Sequence, residues 1–438
     1  MTAGETVRAR AGLLAFVGLL YASACGGPYG MENYVAEIGP GLFILMLFVT
    51  PWLWGVPMAF ASSELSSRKP VAGGYYRWVK NYLGEFPGYL AGIWSLFSSF
   101  LDNALYPVLF ARAVTHLVPS LTRFEQWLIA LAFIGVLTFL NYRGIAIAGR
   151  AAILLNAFLL APLVWLIVAA LVHWSGNPVV PFAAPAARPG ELIGTGLALS
   201  MWLYSGYYEV STAAEEVENP RRAIPFAIAL VTPLVVLSYA LPTVALLATS
   251  TDWATWTSGQ FVTGGYTLGG ALLGQWLFLG SVASYSVIFL AYVVWWSRLA
   301  WALADDGYLP GALRKLHPRF GTPHRVLFAY AGLYAIMAAV PFEDLLVADS
   351  WLAGAYTMLI HFAVVRARSV EPGPAGEGFR IPGGRLGLWL NVLVPLATWT
   401  TLIVFTRRHQ VWLGLGFLLA GPVLYVLTRG LRSRAPMR

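Results

Sequence analysis

Long apolar stretches separated by short polar loops make up most of the chain. A helix needs about 20 apolar residues to cross a bilayer, and by this measure the sequence predicts twelve transmembrane helices. The predicted crossings are 11–35, 39–62, 84–114, 125–142, 151–174, 192–214, 224–250, 272–302, 326–341, 345–365, 386–405 and 411–427. We therefore predict an all-α integral membrane protein with one transmembrane domain over residues 1–438.

The first apolar stretch is interrupted by a run that contains Gly26, Gly27 and Pro28, with Tyr29 inside it and Glu32 just behind it. Glycine permits backbone conformations that other residues resist, and proline removes a backbone donor and clashes with the preceding helical turn. Unwound backbone at membrane depth is tolerated only where protein or a water-filled cavity satisfies its polar groups. The interruption therefore predicts a ligand site within the first helix.

The sixth apolar stretch contains a second candidate interruption. Ser205, Gly206 and Tyr207 lie between Trp202 and Glu209, so that a glycine stands among polar and aromatic residues inside an apolar segment. One interpretation is an ordinary close-packing glycine, which is common in membrane helices. The other is a helix break, and the position of Gly206 favours it when the first break is considered.

Gly26 and Gly206 lie at similar depths in their two stretches. Transporters built from inverted repeats carry broken helices at corresponding positions of their two halves. We therefore predict a 5+5 inverted repeat with discontinuous helices 1 and 6. The repeats would cover 11–174 and 192–365, and two additional helices would follow at 386–427. A channel or receptor would not need such paired breaks.

Composition and charge agree with a membrane location. The chain is 58% hydrophobic and 11% charged, with a mean hydropathy of +0.67, which is too apolar for a soluble globular protein. Most of the 28 Lys and Arg residues fall in loops on one predicted side, so the net charge of +8 reflects the positive-inside rule and not nucleic-acid binding. This asymmetry predicts a cell-membrane protein with both termini in the cytoplasm. The basic residues predicted outside are Arg112, Arg123, Arg188, Arg407 and Arg408.

Several classes of site lack support in the sequence. Cys25 is the only cysteine, so no internal disulfide is possible and no disulfide-linked subunit is expected. The six histidines are scattered without ligand spacing, and the glycine-rich breaks do not match a phosphate-binding loop. We therefore expect no enzyme activity, no cofactor and no metal.

Charged residues at the predicted cytoplasmic helix ends suggest structural networks. Glu64 and Arg68 are expected to belong to an ion-pair network at the end of span two. The loop after span six carries an acidic cluster beside two arginines, which has two interpretations: an inner gate or a solvated face. These loop residues are Glu215, Glu216, Glu218, Arg221 and Arg222.

Two loop motifs carry a resemblance to a known family. These motifs resemble cytoplasmic signatures of the amino acid, polyamine and organocation (APC) superfamily. The first is residues 215–225 (EEVENPRRAIP), and the second is residues 306–310 followed by 316–323. The resemblance covers nearly the whole chain and implies a broken-helix inverted repeat. Three further segments resemble the polyamine uptake transporters of plants, namely 26–32, 102–110 and 140–144.

The chain departs from the amino acid permeases of this superfamily at the first break. Those proteins usually carry a Gly, small residue, Gly pattern whose free N–H groups hold the substrate carboxylate, whereas Pro28 has no N–H and Glu32 adds negative charge. Some proton-coupled relatives also place a lysine in span five, and none occurs in 151–174. The coupling ion is therefore left open between a proton and sodium.

Three carboxylates at membrane depth need an explanation, because each costs roughly 2.5 to 3.5 kcal/mol on insertion scales. If Glu32, Asp102 and Glu209 face one cavity, they suit a substrate with two or more amines, and one could carry a coupling proton. The alternatives are a solvated residue at the outer mouth for Glu32, a helix-packing hydrogen bond for Asp102 and contact with cytoplasmic water for Glu209.

The leading hypothesis is a secondary active transporter that imports organic cations, above all polyamines, by alternating access with proton symport. The alternative is an amino acid permease or exchanger for neutral or cationic amino acids. Aromatic rings near the breaks would stack on an ammonium group, a contact worth about 0.5 to 2 kcal/mol. The candidate substrate-binding residues are Gly26, Gly27, Tyr29, Glu32, Asp102, Trp202, Ser205, Gly206, Tyr207 and Glu209.

Overall fold

The architecture is described from a computed structural model. It covers residues 13–71, 73–143, 145–185, 188–209, 211–212, 219–249, 252–372 and 378–432. Within these ranges the regular secondary structure is entirely helical. The α-helices are α1 (Leu13–Ala24), α2 (Asn33–Ile38), α3 (Pro40–Thr50), α4 (Val56–Arg68), α5 (Gly74–Leu83), α6 (Glu85–Leu117), α7 (Arg123–Arg143), α8 (Ile145–Val172), α9 (Pro189–Leu203), α10 (Pro220–Leu247), α11 (Gln260–Asp305), α12 (His324–Met337), α13 (Phe342–Val370), α14 (Gly384–Phe405) and α15 (Arg408–Arg432).

The predicted break in the first span is confirmed. Helix α1 ends at Ala24 and α2 begins at Asn33, so the glycine and proline residues between them are not helical. Gly27 has a φ of +76° and Gly30 a φ of +88°, values that favour glycine because a Cβ would be strained there. The chain therefore crosses the middle of the protein as extended and turning backbone.

The sixth span also breaks at the predicted glycine, but its continuation differs from the prediction. Helix α9 ends at Leu203, and Gly206 has a φ of +94°. The sequence predicted helix as far as residue 214, whereas the described residues from 207 to 212 form turns and a short 3₁₀ segment. Hydrogen bonds from the Glu209 N–H to the Gly206 carbonyl and from the Ser211 N–H to the Tyr208 carbonyl close these tighter turns.

Eight helical segments of the described chain are long and apolar enough to cross a membrane, which indicates a multi-pass membrane protein. They are α3 with α4, α7, α8, α10, α11, α13, α14 and α15. The other four predicted spans fall on helices of a different kind. Helices α1, α9 and α12 are short, and the 33-residue α6 contains Ser95, Ser98 and Asp102 within its apolar sequence.

Two short helices precede the two longest ones. The residues after Gly73 form α5, which buries Tyr75 and Tyr76 and ends at Leu83, so that only Gly84 separates it from α6. Similarly, α11 contains non-helical backbone at Gly270, so its first ten residues form a separate helical segment before the long part.

Helix α1 lies in the interior and contacts α8, α10 and α11. Helix α6 packs along α13 and also contacts α11. The unwound segment after α1 is therefore surrounded by long helices, and the side chains of α6 and α11 point at it.

Candidate functional site

The two helix breaks touch each other. A Cβ atom added to Gly206 would lie 2.7 Å from the Ser23 carbonyl oxygen and 2.9 Å from the Tyr292 hydroxyl oxygen. Only glycine allows this approach together with the positive φ of the residue. The end of α1 and the end of α9 thus form one region of irregular backbone.

Side chains of α11 and of Cys25 satisfy part of the backbone exposed by the first break. The Tyr292 hydroxyl donates to the Ser23 carbonyl at 2.7 Å, and the Ser284 hydroxyl donates to the Gly26 carbonyl. The Gly27 N–H donates to Cys25 Sγ at 3.3 Å. These contacts hold the unwound segment in place, as irregular backbone inside a membrane protein requires.

A cavity lies where the breaks meet, and we call it the central cavity. Its walls come from the first break, α6, the end of α9, α10 and α11. Nine of its lining residues are aromatic or belong to the predicted site: Gly26, Gly27, Tyr29, Tyr106, Trp202, Ser205, Tyr239, Tyr285 and Tyr292. The structure therefore brings five of the ten predicted site residues to one cavity.

Asp102 lies beneath the aromatic wall of this cavity. Its Oδ1 atom accepts a hydrogen bond from Trp202 Nε1 at 2.6 Å and another from the Tyr106 hydroxyl at 3.3 Å. The rings of Trp202 and Tyr106 stack at a centroid distance of 6.2 Å. The bond with Tyr106 is of the packing kind that the alternative for Asp102 expects, but the shorter bond joins Asp102 to Trp202 of the cavity wall.

Ser205 connects the second break to α3 and α4. Its Oγ atom accepts a hydrogen bond from Trp54 Nε1 at 3.1 Å and donates to the Met201 carbonyl at 2.6 Å. Trp54 belongs to a π-helical turn, Pro51–Gly55, that joins α3 to α4. The hydroxyl therefore completes the end of α9 while lining the cavity.

Glu209 is buried beyond the second break, with 2% of its surface exposed. This burial contradicts the alternative that it faces cytoplasmic water. The Tyr75 hydroxyl donates to its Oε2 atom at 3.3 Å. Tyr75 stacks on Tyr356 at 5.9 Å and packs edge-to-face with Tyr208 at 5.1 Å, so a group of tyrosines surrounds this carboxyl.

A third buried carboxyl, Asp349 of α13, belongs to the same region and was missed by the sequence analysis. Only 5% of its surface is exposed, and it accepts a hydrogen bond from the Ser98 hydroxyl of α6. It lies within electrostatic reach of both Asp102 and Glu209. The signal was available, because Asp349 interrupts the apolar stretch 345–365 just as Asp102 interrupts 84–114.

These three carboxyls have no basic partner. In the part of the chain that the structure describes, no Lys, Arg or His forms an ion pair with Asp102, Glu209 or Asp349. An unpaired buried charge is costly, so each carboxyl must either bind a proton or have a cation supplied from outside the protein. The group is therefore suited to exchange protons for a positively charged ligand.

Glu32 lies elsewhere. It is 1% exposed, which contradicts the alternative of a solvated residue at the outer mouth. Its Oε2 atom accepts the Gly30 N–H at 2.7 Å and its Oε1 atom accepts the Gly259 N–H at 3.2 Å. It lines a second cavity, which shares the walls Tyr29, Leu109 and Tyr285 with the central cavity. Glu32, Asp102 and Glu209 therefore do not share one cavity.

Tyr207 also lies apart from the central cavity. Its ring is fully buried and approaches Gly55 of the π-helical turn. Gly206 itself serves as the contact between the two breaks. Of the residues predicted around the second break, Trp202 and Ser205 face the cavity and Tyr207 packs behind it.

The predicted pair of Glu64 and Arg68 is confirmed and belongs to a larger network. Glu64 is fully buried, and its carboxylate contacts Arg68 at 3.0 Å and Arg368 at 2.6 Å. The neighbouring loop residue Glu371 contacts Lys69 at 3.2 Å. Burial alone would raise the pKa of Glu371, but hydrogen bonds from Lys69 and Tyr82 lower it below its ordinary value. The predicted cluster of Glu215, Glu216 and Glu218 lies outside the described residues.

Comparisons with known proteins identify a family and several related transporters. The family described as "Amino acid permease" matches residues 13–411. A polyamine transporter of Arabidopsis thaliana is 31% identical over 419 residues, covering 94% of this chain and 84% of the relative. A polyamine transporter of Oryza sativa subsp. japonica is 29% identical over 440 residues, covering 97% and 80%. An uncharacterized transporter of Mycobacterium tuberculosis is 26% identical over 377 residues, covering 84% and 81%.

Proposed function

The chain belongs to the amino acid permease family of membrane transporters, and from this premise we propose that it imports polyamines by alternating access with proton coupling. The observation that carries the proposal is the group of buried carboxyls next to the central cavity. Asp102, Glu209 and Asp349 have no basic partner in the described chain. A ligand with several ammonium groups supplies the missing positive charge.

The backbone of the first break supports a cationic substrate for a second reason. A substrate carboxylate would need free N–H groups. Pro28 has none, the Gly27 N–H already donates to Cys25, and the Gly30 N–H already donates to Glu32. An ammonium group instead needs acceptors, which the carboxyls and the carbonyl oxygens at the end of α1 provide.

We also propose the 5+5 inverted repeat of twelve helices. The repeats would cover 11–174 and 192–365, with two further helices at 386–427. If each span of the first repeat corresponds to the span five positions later, α6 corresponds to α11 and α8 corresponds to α13. The contact of α6 with α13 then corresponds to the contact of α11 with α8, and these two are the most extensive contacts between helices. The same correspondence pairs α5, which ends just before Gly84, with the first ten residues of α11, which end just before Gly270.

The orientation follows from the distribution of basic residues. We propose a cell-membrane protein with both termini in the cytoplasm, as the positive-inside rule predicts. In this orientation α5 and the Glu64 network lie at the cytoplasmic end. The Glu32 cavity lies toward the outside and is separated from the central cavity by Tyr29.

Proton coupling follows from the same carboxyls. Without substrate, three unpaired carboxylates in one buried region would repel one another, so protons must neutralise some of them. A bound polyamine replaces those protons, which are released to the outside. After the polyamine has left for the cytoplasm, the carboxyls take up protons there before the empty carrier returns. This cycle exchanges a polyamine for protons, which differs from the symport of the sequence-based hypothesis.

Uptake into proteoliposomes tests the proposal. Labelled spermidine and labelled leucine are offered to the purified protein, with and without an outward proton gradient (lumen more acidic than the medium). We expect saturable spermidine uptake that increases with this gradient and is not inhibited by leucine. Strong leucine uptake without competition by spermidine would instead establish an amino acid permease, the alternative to which the family description points.

A further inference from the structure

Polar residues form a stripe along one face of α6 between the central cavity and α5. Tyr106 lines the cavity, and Asp102, Ser98 and Ser95 follow at intervals of four, four and three residues. Residues at this spacing lie on one face of a helix, one turn apart. The stripe therefore leads away from the cavity into the interior of the protein.

Each of the three stripe residues Asp102, Ser98 and Ser95, which we call steps, is associated with one carboxyl. Asp102 carries the first carboxyl itself. Ser98 donates to Asp349 and defines the second. Ser95 shares a hydrogen bond with the Tyr75 hydroxyl, which also donates to Glu209, so this carboxyl is the third. Two helices, α6 and α13, and the second break thus bring three acids to successive turns of α6.

The spacing of these steps matches a particular chemistry. A helix rises 1.5 Å per residue, so steps of four and three residues are about 6 and 4.5 Å apart. Amines joined by chains of four or three methylene groups are separated by similar distances. An extended linear triamine carries as many positive charges as the three carboxylates carry negative ones.

An aromatic side chain lies beside the third carboxyl. Trp296 of α11 is 2% exposed, and its indole N–H lies next to the Glu209 carboxyl. Because an indole N–H only donates, it interacts with the carboxylate and not with an ammonium group. The ring of Trp296, stacked on Tyr292 at 4.4 Å, adds an aromatic surface beside the third step.

We propose that Asp102, Asp349 and Glu209 form an ammonium ladder that binds a linear polyamine lengthwise along α6, one charged amine to each carboxylate. The proposal rests on the proposed function and names the substrate more closely: a triamine with three- and four-carbon spacers. Asp349 takes the middle amine, since its step lies between the other two.

The proposed contact between the middle amine and Asp349 can be tested by changing the ligand and the protein in the same experiment. Spermidine and 1,8-diaminooctane have chains of equal length, but the diamine has a methylene where spermidine has its middle amine. Dissociation constants for both are measured on purified full-length protein and on Asp349→Asn. Glu125→Gln is the matched control, because Glu125 is an exposed carboxyl at the start of α7.

The protein and the Glu125→Gln variant should prefer spermidine by about tenfold or more, as expected for one charge-assisted hydrogen bond. In Asp349→Asn this preference should disappear, with 1,8-diaminooctane binding almost unchanged. A preference that persists in Asp349→Asn, or an equal loss of both ligands, would overturn the ladder.

The unmodified protein provides an independent test should Asp349→Asn not fold. Equal affinities for spermidine and 1,8-diaminooctane would refute the ladder and leave polyamine transport standing. Failure to bind spermidine at all would refute the proposed function itself, so the two failures are distinguishable.

Discussion

Each helix break is followed by a glutamate, and the two glutamates are held in different ways. Both oxygens of Glu32 accept backbone N–H groups, one from the first break and one from the segment before α11. Glu209 instead accepts a hydrogen bond from the Tyr75 hydroxyl and lies beside the indole N–H of Trp296. Both are nearly completely buried.

The different hydrogen-bond partners of Glu32 and Glu209 suit them to different roles. A carboxylate that accepts two backbone amides fixes the loop that carries those amides, and its loss leaves buried donors unpaired. A carboxylate surrounded by hydroxyl and aromatic side chains can accept a ligand without disturbing the backbone. We infer that Glu32 stabilises the first break and that Glu209 is free to bind substrate.

The largest expected effect comes from the contact between the breaks. Gly206→Ala puts a Cβ 2.7 Å from the Ser23 carbonyl oxygen at a φ of +94°. Strained backbone alone costs about 1 to 3 kcal/mol, and the overlap adds to it, so little folded protein should be recovered. Yield and apparent Tm in detergent measure this. Gly307→Ala is the control, because Gly307 also has a positive φ but has open space around it. Equal losses in both variants would mean that the breaks are not in close contact.

The second prediction compares the glutamates directly. Glu32→Gln replaces one acceptor oxygen by an NH₂ group facing a backbone N–H, which should cost about 1 to 3 kcal/mol. Its apparent Tm should fall, and transport of every substrate should fall together. Glu209→Gln can still accept from Tyr75, so its Tm should change little while spermidine affinity drops about tenfold or more. Thermal unfolding and spermidine binding are measured on both variants. A lower Tm in Glu209→Gln with weaker spermidine binding in Glu32→Gln would instead assign the structural role to Glu209 and the binding role to Glu32.

The third prediction concerns the cavity wall. Asp102→Asn keeps an oxygen for the Trp202 N–H but removes the charge, so the fold should be retained. Spermidine uptake should fall about tenfold, while a neutral substrate, leucine, should be unaffected wherever its transport is measurable. Initial uptake rates at several spermidine concentrations give the change. Equal reduction for a cation and a neutral substrate would assign Asp102 a packing role.

The sequence predicted the local features of the site better than its long-range contacts. Three glycines and a proline are enough to locate the first break, because they act on their own backbone. The non-helical course after Gly206 escaped prediction, because the residues that follow carry no comparable breaking signal. The position of Glu32 could not be predicted either, since one of its partners, Gly259, is 227 residues away.

Asp349 was overlooked for a different reason. The cost of a carboxyl at membrane depth drew attention to Asp102, and the same argument applies to Asp349 without any structural knowledge. The predicted site was built around the helix breaks, and Asp349 lies on an unbroken helix. Its position near Asp102 depends on the packing of α6 along α13, which the sequence does not reveal.

The smallest expected effect concerns a carboxylate that forms an ion pair with a basic side chain, unlike Glu32 and Glu209. Glu371 contacts Lys69 at 3.2 Å, and its pKa lies below the ordinary value of 4.5 in the folded protein. A lowered folded-state pKa contributes stability above the unfolded-state pKa, and this contribution disappears as the pH falls through the folded-state pKa. Glu371→Gln should therefore lower the apparent Tm slightly at pH 7, and the difference should shrink below about pH 4. Lys69 and Glu371 are both substantially exposed, so high salt should also reduce the difference in Tm.

Thermal unfolding at both pH values and at two salt concentrations measures the effect. A difference independent of pH would show that Glu371 acts through packing and not through its charge.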